Sequence, residues 1–133
     1  MIKNFPVKTT PESDDSLTRR VIACAIEVHK RLGPGLLEKL YQEAMVIEMQ
    51  LGNLKVEKNI KIPVQYKGKP IGDYFIDLLV EDTVILELKS VERHDPVFEA
   101  QILSYMKLTG KKVGLLINFN SKMVKDGIKR FVL

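Results

Sequence analysis

Tyr74-Phe75-Ile76-Asp77-Leu78-Leu79-Val80, then Glu81-Asp82, then Thr83-Val84-Ile85-Leu86-Glu87-Leu88-Lys89 is the stretch that decides the fold. Two apolar runs rich in β-branched residues flank a short acidic turn, which is the pattern of a β-hairpin. Val84 to Leu88 is almost wholly apolar, as in a central strand covered on both faces. Asp77, Glu87 and Lys89 interrupt that character. Charges in such strands are costly unless paired or liganded. Glu87 and Lys89 are two apart and so point to one face of a strand, and Asp77 can join them from the neighbouring strand. Two carboxylates and an ammonium so arranged suit a hard cation with a lysine beside a reacting phosphate.

The register of this hairpin carries a condition. With Glu81-Asp82 as a two-residue loop, Val80 faces Thr83 and Asp77 faces Leu86, which puts Asp77 and Glu87 on opposite sheet faces. A shared cation needs Asp77 opposite Glu87. The loop is therefore expected to hold three residues, Glu81 to Thr83, unless a strand carries a bulge.

At 133 residues and 45% hydrophobic content, the chain is expected to form one domain over residues 16–133, after an irregular arm at 1–15. No apolar run reaches membrane-spanning length, and Met1 to Asp15 lacks the apolar centre of a signal peptide. A single cysteine, Cys24, excludes an internal disulfide and a cysteine-built metal cluster; it reads as a small core residue, and a cytoplasmic setting is expected. The net charge of +4 permits nucleic-acid binding without arguing for it.

Outward from the hairpin, Ser16 caps an amphipathic helix over 16–32 with Leu17, Val21, Cys24 or Ala25, Val28 and Leu32 at helical spacing. His29, near its end, reads as local packing or a dipole contact, since no second ligand stands at metal-binding spacing. Gly33-Pro34-Gly35 breaks the helix. A second helix is predicted over 36–51, with Leu37, Leu40, Tyr41, Ala44 and Ile47 or Glu48 on its buried side and Gly52 as the residue after its end. Ile60, Ile62, Val64 and Tyr66 alternate with polar residues in a strand that Pro63 places near an edge or bulge. After the hairpin, Asp95 and Pro96 open a helix that stops at Thr109-Gly110, with Gln101 and Tyr105 on one face. Val113 to Ile117 reads as a buried strand returning parallel to an earlier one. Asn120-Ser121 is expected to cap a short helical turn. Ile128 to Leu133 is expected as an edge strand with Lys129 and Arg130 exposed.

The order is α-α-β-β-β-α-β-(α)-β: an α/β chain with one mixed β-sheet flanked by helices. A strand with Asp, a strand with Glu-x-Lys, a helix and a strand resemble the restriction-endonuclease-like core of PD-(D/E)XK nucleases. Gly35-Leu36-Leu37-Glu38-Lys39-Leu40-Tyr41 is similar to the GxxExxY motif of a small bacterial and archaeal family in that superfamily, and Gln101-x-x-x-Tyr105 to a motif of RecB-type exonuclease domains. The resemblance spans about Leu17 to Leu133. It implies a nuclease hydrolysing phosphodiester bonds, with DNA the expected nucleic acid, in which Asp77, Glu87 and the Leu88 carbonyl hold Mg2+ or Mn2+. It also implies that Glu38 adds a ligand, Lys89 orients water or stabilises charge on phosphorus, and Gln101, Tyr105 and Tyr41 support them. Lys67, Lys69, Arg93 and Lys107 are the candidate nucleic-acid contacts, and a homodimer embracing a duplex is an analogy only. Two alternatives stay open: a catalytically silent binding module on the same fold, which a Lys89 turned away from the carboxylates would favour, and a nuclease subunit that needs a partner.

Overall fold

The computed structural model describes residues 16–133; the arm expected at 1–15 lies outside them. The elements are α1 (Ser16–Leu32), α2 (Glu38–Leu51), β1 (Val56–Tyr66), β2 (Lys69–Val80), β3 (Val84–Lys89), α3 (Pro96–Thr109), β4 (Val113–Asn118), a 3-10 turn (Val124–Gly127) and β5 (Ile128–Val132), in the expected order. The five strands form one sheet in sequential order. β3 and β4 are parallel, with α3 as their crossover, and the other pairs are antiparallel. Among the described residues no helix is long and apolar enough to cross a membrane.

Alternation along the central strands divides the core in two. Leu86 and Leu88 of β3, with Leu115 and Ile117 of β4, pack against Val21 and Ala25 of α1 and Tyr41 and Met45 of α2. Ile85 and Leu116 face the other way, onto Ile102, Leu103 and Met106 of α3. Helices thus cover both faces, which is why Val84 to Leu88 needed no polar side.

Several local expectations shift. α2 starts at Glu38 rather than Leu36, because Gly35 adopts φ +96° and Leu37 is extended. Its buried face is Tyr41, Met45 and Met49, whereas Leu37, Leu40 and Ile47 are exposed. The preceding loop sets the helix's rotation, and spacing alone did not choose between two neighbouring apolar stripes. After α2 the left-handed residue is Asn53, at φ 63°, not Gly52. The short turn near the end starts at Val124, with Met123 rather than Asn120 or Ser121 before it. Lys129 is exposed, but Arg130 is buried, since adjacent strand residues face opposite sides. Pro63 does lie on the edge strand, and the β1–β2 pairing has an irregularity at Val64/Gln65.

β2 pairs with β3 only from Leu78 to Val80, so Lys69 to Asp77 and the facing part of β1 run on as a two-stranded arm. At the root of this arm both strands exchange faces. Val56, Leu78 and Val80 belong with the α1–α2 core, yet Ile60, Ile62 and Ile76 belong with the α3 core. Residues of one parity share a face in a regular strand, so both strands are irregular between these sets. That place is Asn59 opposite Asp77, a pair missing from a register that is otherwise continuous from Val56 to Val64, with Asn59 at φ 55°.

Candidate active site

The β2–β3 turn places the acids. Val80 pairs with Val84, which makes Glu81 to Thr83 the expected three-residue loop. Thr83 N–H donates to the Val80 carbonyl at 2.9 Å, and Glu81 and Asp82 take φ 51° and 56°. Left-handed backbone is costly for residues other than glycine. Here it is held from outside: Glu81 N–H donates to the Lys55 carbonyl at 2.8 Å, and its Oε2 accepts from Lys55 N–H at 2.5 Å. The register that follows sets Asp77 opposite Glu87.

Backbone pairing between β2 and β3 stops at Leu78 and Leu86, and the two acids take over. Glu87 Oε2 accepts from Asp77 N–H at 2.9 Å, and Asp77 Oδ2 accepts from Leu88 N–H at 2.8 Å. Each acid thus satisfies a main-chain donor freed where the strands part, one on its partner and one on the residue beside it. Among the described residues, Asp77 Oδ1 and Glu87 Oε1 accept no hydrogen bond. Burial, then the Asp77 charge, pushes the Glu87 carboxyl up to about 8, against the pull of the Asp77 N–H and the Lys89 charge. Burial also raises Asp77, opposed by the Leu88 N–H and Lys89 and helped by the Glu38 charge. Two desolvated acids side by side resist ionising together unless a cation joins them.

Glu38 reaches this place from α2. It lines one cleft of about 370 Å³ with Lys39, Gln42, Asn59, Asp77 and Leu88. The glycine loop holds it there. Tyr41 Oη donates to the Gly33 carbonyl at 2.5 Å and accepts from Leu36 N–H at 3.1 Å. Its ring stacks on Phe119 at 4.4 Å. Ser90 Oγ, one residue beyond Lys89, donates to the Leu36 carbonyl at 2.5 Å and ties the loop to the end of β3. Tyr41 therefore braces the loop and does not line the cleft. Gln42, one turn beyond Glu38, donates to the Asp77 carbonyl and to Asn59 Oδ1, both at 3.0 Å. Sequence reading missed Lys39, Gln42 and Asn59; for Gln42 the i+4 spacing from Glu38 was the available signal.

Lys89 shares the α3-side face with Glu87, as expected. Its Nζ sits 4.6 Å from the centre of the Phe98 ring and makes no ion pair with either acid, although its charge pulls down both carboxyls. It lines a neighbouring cavity of about 250 Å³ with His94, Phe98, Asn118 and Lys129. In that region Glu99 Oε2 accepts from Lys129 at 2.7 Å and contacts His94 Nε2 at 2.5 Å. Tyr105 lies edge-on to Tyr74 at 5.0 Å; burial, then the Glu87 charge, pushes its hydroxyl up to about 12. Gln101 is half-buried and makes no side-chain hydrogen bond among the described residues.

Of the four basic candidates, Lys67 and Lys69 sit at the tip of the β1–β2 arm, and Arg93 is exposed in the loop after β3. Lys107 occupies the last turn of α3, whose end leads to Lys111 and its 2.9 Å bond to the Asp82 carbonyl. That is the turn end of the hairpin, remote from the cleft. His29 is buried, with Nε2 2.9 Å from the Ser121 carbonyl, a packing role.

The donors fit a hard divalent cation in chemistry, two carboxylates with an oxygen each to spare. They do not form a closed cage: among the described residues no three His, Cys, Asp or Glu side chains group tightly enough to hold an ion by themselves. Glu38, exposed at the start of α2, stands across the cleft from Asp77.

No curated protein and no solved structure matches the chain significantly. A family model, the PD-(D/E)XK nuclease superfamily, matches residues 15–131. An aspartate and a Glu-x-Lys strand meeting where two strands part, within a helix-flanked mixed sheet, agree with that match, and the chain belongs to the PD-(D/E)XK nuclease superfamily, with its restriction-endonuclease-like fold.

Proposed function

We propose that residues 16–133 form a single nuclease domain that hydrolyses phosphodiester bonds of nucleic acid, DNA in the first instance, with Mg2+ or Mn2+, in a cytoplasmic setting. The supporting observation is the reciprocal pair of Asp77 and Glu87, largely buried, each using one oxygen on the backbone and keeping the other. A divalent ion held by Asp77, Glu87 and the Leu88 carbonyl, with Glu38 completing the set from α2, supplies charge neutralisation at the phosphate and a more acidic water. The chain's own residues do the rest. Leu88 N–H fixes one Asp77 oxygen and Gln42 holds the Asp77 carbonyl, so the aspartate keeps its aim. Lys89 leaves the Phe98 face to orient the attacking water or to stabilise charge developing on phosphorus. Tyr105, its hydroxyl kept protonated, faces the same acids as a neutral donor. The Gly35 to Tyr41 segment supports an assignment to the GxxExxY group of the superfamily.

A second reading is a binding module without catalysis, or a subunit whose partner completes the site. The resting place of Lys89 against Phe98 favours it. One assay separates them: linear, nicked and single-stranded DNA and RNA, each with Mg2+, Mn2+ or chelator, against wild type and Lys89→Ala. Cleavage that needs the metal and Lys89 supports the enzyme. Equal trace activity in both proteins on every substrate overturns it.

A further inference from the structure

The β1–β2 arm extends past the end of β3 and is chemically unlike the rest of the surface. Tyr66, Tyr74 and Phe75 are the only aromatic residues among the described ones that are exposed, and all three sit on it. Phe98 is half-buried, and Tyr41, Tyr105, Phe119 and Phe131 are buried. The arm also carries Lys61, Lys67 and Lys69 against two acids, Asp73, whose Oδ2 lies 4.0 Å from Lys61 Nζ, and Asp77 at its root. Lys67 Nζ lies 5.4 Å from the centre of the Tyr66 ring.

The exchange of faces at Asn59 and Asp77 decides where these groups point. Above it, Ile62 and Ile76 turn to α3 and are buried, and Tyr74 packs on Tyr105. Lys61 and Phe75, direct partners in the register, take the other face, while Asn59 and Asp77, at the exchange itself, line the cleft with Glu38 and Gln42 of α2. Phe75 is 53% exposed, two residues from Asp77 on the same strand. Covering a ring of that size beside a polar cleft would favour an occupant that brings a flat apolar face.

We infer that the arm is a platform for an unpaired nucleic-acid strand, with Phe75 stacking on a base next to the phosphate held at Asp77 and Lys61, Lys67 and Lys69 following the backbone. Rings interleaved with lysines are what a single strand requires, because every base offers a flat face and every linkage a charge. A duplex hides its base faces and would meet only the lysines. This inference rests on the nuclease reading and names its substrate class: single strands, or ends and flaps with unpaired bases.

The test measures binding in the Lys89→Ala background, with Ca2+ in place of Mg2+, so that cleavage does not interfere. The probes are a fluorescein-labelled single strand, as DNA and as RNA, and the same sequence as a blunt duplex. Phe75→Leu is expected to weaken binding of a single strand of either kind about tenfold and of the duplex about twofold or less. Phe75→Trp should keep the affinity, and because the chain has no tryptophan, quenching of its emission by the single strand reports stacking directly. Unchanged affinity in Phe75→Leu, equal losses on strand and duplex, or unquenched emission overturns the inference. So does a shift of Phe75→Leu to a smaller species in gel filtration, which would make this face a contact between copies. A wild type that cuts nucleic acid yet is indifferent to Phe75 overturns the inference alone; a wild type that binds no nucleic acid overturns the nuclease reading with it.

Discussion

The two halves of β3 have one neighbour in common and differ in the other. Val84, Ile85 and Leu86 are fully buried and paired on both sides, with β2 and with β4. Glu87, Leu88 and Lys89 keep their β4 partners, but β2 has moved away, and side-chain oxygens occupy the space its backbone would have filled. The first half contributes stability, because apolar burial and a full ladder oppose chain entropy. The second half carries polar groups that are costly without a ligand. The site is tenable because the strand bearing it is anchored three residues earlier.

The sharpest break of that contrast is Lys89→Ala. Removing a charge needed mainly in the transition state should lower kcat by about 10²- to 10³-fold with little change in substrate affinity. The melting temperature should change little, as Lys89 is only half-buried and makes no ion pair. Single-turnover cleavage and a thermal melt on one preparation check both. Leu86→Ala, in the other half, should do the reverse: a loss of about 2–5 kcal/mol in denaturant unfolding, with cleavage per folded molecule nearly intact.

The acid pair makes a pH prediction of intermediate size. Glu87 folds with its carboxyl raised to about 8 from an ordinary 4.5, so the folded chain holds a proton that the unfolded chain releases. Its favourable contribution is complete below pH 4.5 and is lost as pH rises toward 8. In chelator the melting temperature should therefore fall across that range. Mg2+ should restore it at the alkaline end, and Glu87→Gln should flatten the profile. A flat wild-type profile would show that the pair is solvated.

The smallest effect belongs to the arm tip. Lys67→Ala and Lys69→Ala should each lower the slope of log affinity against log salt by about 0.7 on single strands, leaving the metal requirement unchanged. An unaltered slope for either would take that lysine off the phosphate path.

What could be read from the sequence was what periodicity and charge encode. The order of elements followed from alternation and capping; Asp95 does accept from Val97 N–H, and Gly110 does end α3 at φ 74°. The condition that Asp77 face Glu87 required a three-residue turn or a bulge, and the turn is the one the chain adopts. The rotation of α2 was only partly legible: the expected side held Tyr41, which is buried, but also Leu37, Leu40 and Ile47, whose place Met45 and Met49 take once the Tyr41 hydroxyl fastens the loop to Gly33 and Leu36. The exchange of faces at Asn59 was not legible. It is a backbone irregularity that two strands share, and it set which aromatic residues turn toward the cleft.

The Glu81–Thr83 turn has a consequence for how the protein can diverge. Surface turns usually accept insertions and deletions readily, since lengthening a loop costs little closure entropy. This one fixes a register: with Val80 on Val84 the acids meet, whereas a slip that set Val80 on Thr83 would bring Leu86 opposite Asp77 and send the acids to opposite sides of the sheet. Lys55 pins the left-handed Glu81 and so holds that register, and length changes in active descendants should be rarer at this turn than at the β4–β5 connection, where no acid depends on the pairing.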